Sequence, residues 1–123
     1  MSIGRRFAFA GALWLFSIGP AFARDYYGAI AYSPSTGSYG YSYDHNTRGE
    51  AESRALGECR ARANGCTVAL WFRNACGALA VGSGGGWGTG WGSNRQLAES
   101  AAIRTCRQHT SGCSVVRWVC TAR

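Results

Sequence analysis

The chain contains an internal duplication, and this duplication constrains its fold more than any other feature. The segment Gly-Ala-Ile-Ala at 28–31 returns as Gly-Ala-Leu-Ala at 77–80, an offset of 49 residues. From the middle of the unit onward the offset is 47 residues. The clearest matches there are Glu52 with Glu99, Cys59 with Cys106, Cys66 with Cys113 and Trp71 with Trp118. A period near fifty residues indicates two copies of one supersecondary unit.

Each copy has the pattern of a strand, a hairpin turn, a second strand, a helix and a closing strand. The first strand is a run of small apolar residues, at 28–32 in one copy and at 77–82 in the other. The second strand carries large residues at every other position, the spacing that places side chains on one face of a strand. These residues are Tyr39, Tyr41 and Tyr43 in the first copy and Trp87, Thr89 and Trp91 in the second.

We therefore predict an α+β fold in which a duplicated ββαβ unit forms one small disulfide-stapled domain with pseudo-twofold symmetry. Repeat 1 spans about residues 26–73 and repeat 2 about residues 76–120. The closing strands, 68–72 and 115–119, are apolar on both faces apart from Arg117, and this pattern predicts that they lie near the sheet centre.

Local signals predict the ends of the two helices. Thr47 followed by Glu50, and Ser93 followed by Gln96, have the spacing of a capping box at a helix start. Each helix is expected to end at a glycine that suits a left-handed cap, at residues 64–65 in the first copy and 111–112 in the second.

The N-terminus has the pattern of an export signal. Arg5 and Arg6 precede an apolar run at 7–18 and an Ala-x-Ala motif at 21–23. We predict a signal peptide at residues 1–23 and a single mature domain at 24–123, secreted or periplasmic. The chain has 13 Arg and Lys residues and 6 acidic ones; without Arg5 and Arg6 the net charge is +5. This charge favours anionic partners.

Six cysteines in an exported domain predict a disulfide framework. Although six cysteines allow fifteen pairings, equivalent positions in the two copies favour equivalent bonds. The repeat therefore predicts Cys59–Cys66 and Cys106–Cys113, which leaves Cys76 and Cys120 to pair with each other.

The chain resembles a bacterial secreted family called domain of unknown function 4189. The resemblance rests on segments 27–32 and 76–81, the doubled cysteine pattern, and a final motif containing Cys113, Val115, Trp118 and Cys120. It implies a small exported bacterial protein, and some mycobacterial relatives are thought to act as secreted effectors on host cells. The family offers no catalytic residues to carry over.

The residues expected for a metal site or a catalytic site do not form a recognisable pattern. The paired cysteines are separated by six residues, whereas zinc ligands are commonly separated by two to four. His45 and His109 lie at different ends of their repeats, and no Gly-x-Ser-x-Gly motif occurs. We therefore expect no metal, no cofactor and no catalytic residue. The alternative is a small ribonuclease-like hydrolase that acts on an anionic polymer.

The aromatic residues of the second strands are the best candidates for function. Exposed rings would stack on sugars or bases; buried rings would instead complete a thin core over glycine-rich strands. The candidate binding residues are Tyr39, Tyr41, Tyr43, Trp87 and Trp91. The expected function is a non-catalytic binding domain whose partner is an anionic glycan, an envelope polymer or a protein. A purely structural envelope component is a third possibility.

Overall fold

The computed structural model describes residues 24–122, so the predicted signal peptide lies outside the described residues. Within these residues the elements follow the order of the repeat, with two helices and six strands. They are β1 Tyr27–Ser33, β2 Ser38–His45, α1 Arg48–Arg60, β3 Thr67–Arg73, β4 Cys76–Val81, β5 Trp87–Gly92, α2 Arg95–Arg107 and β6 Ser114–Cys120. A short 3₁₀ turn, Ser83–Gly85, joins β4 to β5. The described part contains no helix long and apolar enough to cross a membrane.

The strands form two three-stranded antiparallel sheets, in the orders β2-β1-β3 and β5-β4-β6. This architecture confirms the predicted α+β fold with two ββαβ units. The predicted central position of the closing strands is wrong, because β3 and β6 lie at sheet edges. The small apolar strands β1 and β4 take the centre instead, since only they are buried along nearly their whole length.

The two sheets face each other, and each helix covers the outer face of its own sheet. Successive residues of the central strands β1 and β4 point alternately toward the helix and toward the other sheet. Ala29 and Ala31 pack against α1, while Ile30 and Tyr32 point into the space between the sheets. Burial raises the pKa of the Tyr32 hydroxyl above its ordinary value. Between the sheets β1 contacts β4, β3 contacts β5 and β2 contacts β6, as a twofold axis requires.

Glycines let the helices approach the second strands closely. A Cβ atom at Gly40 would overlap the backbone of Ala55 and Cys59 in α1, and one at Gly90 would overlap the backbone of α2. Only glycine fits at such contacts. Since glycines occupy the helix-facing positions of β2 and β5, the large residues of these strands face the opposite sheet.

The helix ends differ in part from the prediction. Thr47 caps α1 as expected, its hydroxyl accepting from the Glu50 amide at 3.1 Å. The cap of α2 is Asn94, not Ser93, and its side chain accepts from the Leu97 amide at 2.9 Å. Asn94 stands 47 residues after Thr47, so the repeat offset identifies the correct cap.

Both helices also end earlier than predicted, at Arg60 and Arg107. Gly65 and Gly112 have the expected left-handed conformation, with φ of 76° and 67°. The residues after each helix form turns, and the two glycines lie in these turns just before the closing strands.

Three disulfides are present in the described residues, and they are the pairs that the repeat predicts. Cys59–Cys66 and Cys106–Cys113 join a helix to the turn before its closing strand, each with a Cα–Cα distance of 6.1 Å. Cys76–Cys120 joins the neighbouring strands β4 and β6. In the chain-entropy model the short loops stabilise by about 2.5 kcal/mol each and the long loop by about 4 kcal/mol.

Candidate binding groove

The predicted aromatic residues of β2 and β5 differ in exposure along each strand. Tyr39, Tyr41 and Trp87 are partly buried and pack against the core between the sheets. Trp87 contacts Tyr32 edge-on, with ring centroids 5.4 Å apart. Tyr43 and Trp91, near the ends of their strands, are 53% and 63% exposed. Three of the five rings therefore contribute to the core, and two are available to a ligand.

A groove of about 480 Å³ runs between the edge strands β3 and β5. Trp91 forms one side, and β3 supplies the rest: Ala69, Leu70, Trp71, Phe72 and Arg73. The Thr89 hydroxyl donates to the Ala69 carbonyl at 3.3 Å and holds the two edges together beside the groove. Ala69 is the extra residue of a β-bulge, which interrupts the pairing pattern along β3.

Trp71 connects this groove to the outer face of the first sheet. Its side chain is 39% exposed, and its ring stacks on Tyr27 at 6.3 Å between centroids. The Arg48 guanidinium lies 4.4 Å from the centre of the indole, and its Nε donates to Glu52 at 2.8 Å. This ion pair and cation–π contact limit the positions that the Trp71 ring can adopt.

The second repeat contains the same cluster. Arg95 lies 4.2 Å from the Trp118 ring centre, and its Nε donates to Glu99 at 3.0 Å. Sequence analysis identified the matching Trp and Glu residues but missed the arginines. The signal was present, since Arg48 and Arg95 obey the same offset of 47 residues.

Arg73 adds positive charge to one end of the groove. Its closest acidic partner among the described residues is Asp25, at 4.0 Å, and both side chains are about half exposed. Asp25 is held by the Asn74 amide at 3.0 Å. An exposed pair at this distance contributes about 0–1 kcal/mol, so the Arg73 guanidinium is free to exchange Asp25 for an anionic ligand.

On the opposite side of the sandwich, where β2 faces β6, a different side chain lies between the sheets. Arg117 stands 47 residues after Leu70 and takes its position in the repeat. Its guanidinium lies 4.4 Å from the Tyr41 ring centre and 5.5 Å from that of Tyr39. Nη2 also donates to the Tyr39 hydroxyl at 3.4 Å. Tyr39 and Tyr41 correspond in the repeat to Trp87 and Thr89, so Arg117 takes the place that Leu70 has opposite those two residues.

The two histidines line separate hollows. His45 shares one of about 360 Å³ with Tyr43, Arg54 and Glu58, and Glu58 accepts from Arg54 at 3.2 Å. His109 lines another, about 410 Å³, with neutral side chains and the glycine-rich turn. An acid–base pair built from both histidines would require them to share one cleft. Residues 24–122 also contain no cluster of three metal-ligating side chains.

Comparison with known proteins assigns the family. Protein Rv1269c of Mycobacterium tuberculosis and protein Mb1300c of Mycobacterium bovis are each 48% identical over 59 residues. The match covers 48% of this chain, which spans only 44% of the length of these relatives. The NMR structure of Rv1813c from Mycobacterium tuberculosis is similar over 98% of this chain and 91% of that protein, with 30% identity and a TM-score of 0.59. The model of the domain of unknown function DUF4189 matches residues 27–120, and the chain therefore belongs to this family.

Proposed function

We propose that this protein is a secreted or periplasmic, non-catalytic binding domain, and that its ligand docks in the groove beside Trp91. The mature form in this proposal is residues 24–123, after removal of residues 1–23. Disulfides throughout the domain and no unpaired cysteine among residues 24–122 are consistent with an oxidising compartment.

The observation that carries the proposal is the exposure of Trp91. Trp87, four residues earlier on the same strand, packs into the core. Trp91 instead keeps 63% of its surface exposed to solvent beside the groove. Burying such a ring on a ligand releases the water from a large apolar surface. Trp71 also borders this groove, and its ring packs under Arg48 on the outer face of the sheet.

The ligand class that fits this groove is an acidic glycan. Sugar rings present apolar C–H faces that stack on indole, and carboxylate groups accept hydrogen bonds from arginine. Trp91 and Arg73 supply these two contacts in one groove of about 480 Å³. The predicted net charge of +5 for residues 24–123 would also attract an anionic polymer.

Binding measured by calorimetry with an acidic oligosaccharide, oligogalacturonate, tests the proposal. Trp91→Ala should weaken binding by about 1–3 kcal/mol, which is the contribution of one stacking ring. Tyr43→Ala is the matched control, because Tyr43 is the equivalent exposed ring on the other side of the sandwich.

Both variants must retain their three disulfides and a cooperative melt before the affinities are compared. Equal affinities of the Trp91 variant and the original protein would contradict the proposal. Loss of an activity in a His45→Gln variant that binds normally would favour the hydrolase instead.

A further inference from the structure

The free edge of β5 differs from the other sheet edges of the described domain. Register shifts interrupt the pairing of β2, β3 and β6 with their central strands, whereas β5 pairs with β4 without a shift. The sequence of β5, Trp-Gly-Thr-Gly-Trp-Gly at 87–92, also contains no charged residue and no proline. Bulges, charges and prolines are the features that keep a sheet edge from pairing with another strand. Among the four edges within residues 24–122, β5 is the one that has none of them.

The backbone of β5 presents free hydrogen-bonding groups along this edge. The Gly82 amide donates to the Gly86 carbonyl at 2.9 Å, which makes these two residues a hydrogen-bonded pair of the hairpin. Because bonded pairs alternate along an antiparallel ladder, Gly88 also directs its N–H and C=O groups toward β4. The N–H and C=O groups of Trp87 and Thr89 therefore point away from β4, and no backbone hydrogen bond within residues 24–122 engages them.

In the first repeat an arginine covers the equivalent edge. Tyr39 is the counterpart of Trp87, and its carbonyl accepts from Nη1 of Arg62 at 2.7 Å. The residue 47 positions after Arg62 is His109. It lines a hollow beside Trp87 instead of covering the strand. The second repeat has thus exchanged the arginine that covers β2 for a shorter side chain that leaves the edge of β5 accessible.

The hollow at this edge has a volume of about 410 Å³ and lies between α2 and β3. Thr105 and His109 of α2 line one side, Ala69 of β3 lines another, and residues 85–89 form the wall between them. A strand added beside β5 would lie in this hollow, with its side chains pointing alternately toward α2 and toward β3.

Helix α2 restricts which strand fits there. A Cβ atom at Gly88 would lie 2.3 Å from the Cys106 nitrogen, so the backbone of α2 lies directly over β5. On the inner side of the helix the neighbouring strand β4 presents only the small residues Ala78 and Ala80. By the same geometry, a strand on the outer side must present small residues to α2.

We propose that the edge of β5 binds an extended peptide of a partner protein as an added antiparallel strand. The peptide carries alanine, serine or glycine at the alternate positions that face α2 and apolar residues at the positions between them. A second copy of this chain does not fit, because twofold pairing through β5 would bring the two α2 helices to about 5 Å. Packed helices lie about 8–10 Å apart. This interaction goes beyond the proposed glycan groove, since it uses the backbone of Trp87 and Thr89 and not the Trp91 ring.

The test is an NMR titration of the oxidised protein with the peptide acetyl-Ala-Val-Ser-Val-Ala-amide. In antiparallel pairing its two valines stand opposite Thr89 and Trp87 and exchange hydrogen bonds with them, while its small residues stand opposite glycines and face α2. The backbone amide signals of Trp87 and Thr89 should shift to higher frequency and exchange more slowly with solvent. The Gly88 amide, which is already bonded to β4, should move less. Amide signals of Trp87 and Thr89 that stay in place at millimolar peptide would overturn the proposal.

Two methylated peptides distinguish strand pairing from apolar adsorption without any change to the protein. Methylation of one valine nitrogen removes a donor that faces β5 and should weaken binding by about tenfold or more. Methylation of the serine nitrogen alters a donor that faces away from β5 and should leave Kd nearly unchanged. Equal affinities of the two methylated peptides would contradict pairing with the edge.

A pair of variants tests the same contact from the side of the protein. Thr89→Pro removes the outward N–H, which an edge strand tolerates because that group has no partner in the sheet. Thr89→Val is the control, since it also loses the hydroxyl bond to Ala69 but keeps the N–H. The proline variant should lose peptide binding and the valine variant should keep it; equal binding by two folded variants would count against the site. Oligogalacturonate should instead shift the Trp91 indole signal, so peptide pairing and glycan binding can fail independently.

Discussion

The two sides of the sandwich have the same origin in the repeat and differ in what fills them. On one side Leu70 leaves space between β3 and β5, and Trp91 borders a groove. On the other side Arg117 covers Tyr39 and Tyr41. The duplication thus supplied two equivalent edges with rings on facing strands. The two edges differ at one pair of positions: Leu70 borders a groove at one edge, and Arg117 is a half-buried cation at the other.

The largest expected difference between the two sides lies in the core beneath them. Phe72 on β3 and Val119 on β6 are repeat equivalents, and both are buried. The Phe72 ring packs against Gly28 and Gly77, where a Cβ atom would overlap it. We expect Phe72→Ala to lower the free energy of unfolding by about 3–5 kcal/mol and Val119→Ala by about 2 kcal/mol. Denaturant unfolding with intact disulfides measures both, and equal losses would show that the two sides share the core evenly.

An intermediate effect is expected when the open side is given the residue of the closed side. Leu70→Arg places a guanidinium opposite Trp87 and Thr89. These residues stand where the other side has the two tyrosines that contact Arg117. The unfolding free energy should fall by about 1–3 kcal/mol. The groove should also fill, so the affinity for oligogalacturonate should fall at a temperature where the variant stays folded. Unchanged affinity would indicate that the ligand does not enter the groove.

The smallest expected effects come from the clusters that both sides share. Arg48→Ala and Arg95→Ala each remove a cation–π contact and an ion pair that are about half exposed. Solvent screens such pairs, so each change should cost only about 0.5–1 kcal/mol. The two losses should agree within about 0.5 kcal/mol. Chemical denaturation of the two variants side by side checks this, and a clear inequality would show that the clusters are not equivalent.

The duplication made the fold and the disulfides accessible to sequence analysis, because equivalent segments must fold alike. It did not reveal the strand order. Residues 68–72 are apolar on both faces for two separate reasons. Leu70 and Phe72 point into the core between the sheets, and Trp71 lies beneath Arg48 on the outer face. A central strand gives the same pattern, and only the pairing with β1 distinguishes an edge.

Only part of the candidate site was predicted, because residue spacing along one strand does not show how the two sheets pack. A spacing of two residues shows that Tyr39, Tyr41 and Tyr43 share a face, but it does not show how far the opposite sheet extends over that face. Tyr39 and Tyr41 pack against the core between the sheets, whereas Tyr43 is 53% exposed. The β3 residues of the groove were missed, because their proximity to Trp91 depends on how the two sheets pack.

The most direct test of a ligand on the open side is an NMR titration that follows the indole N–H signals. Residues 24–123 contain four tryptophans, two that line the groove and two that do not. On addition of oligogalacturonate, the signals of Trp91 and Trp71 should shift and saturate together, while those of Trp87 and Trp118 stay nearly unchanged. Shifts confined to Trp118, or no shift of Trp91 at saturation, would contradict binding in the groove.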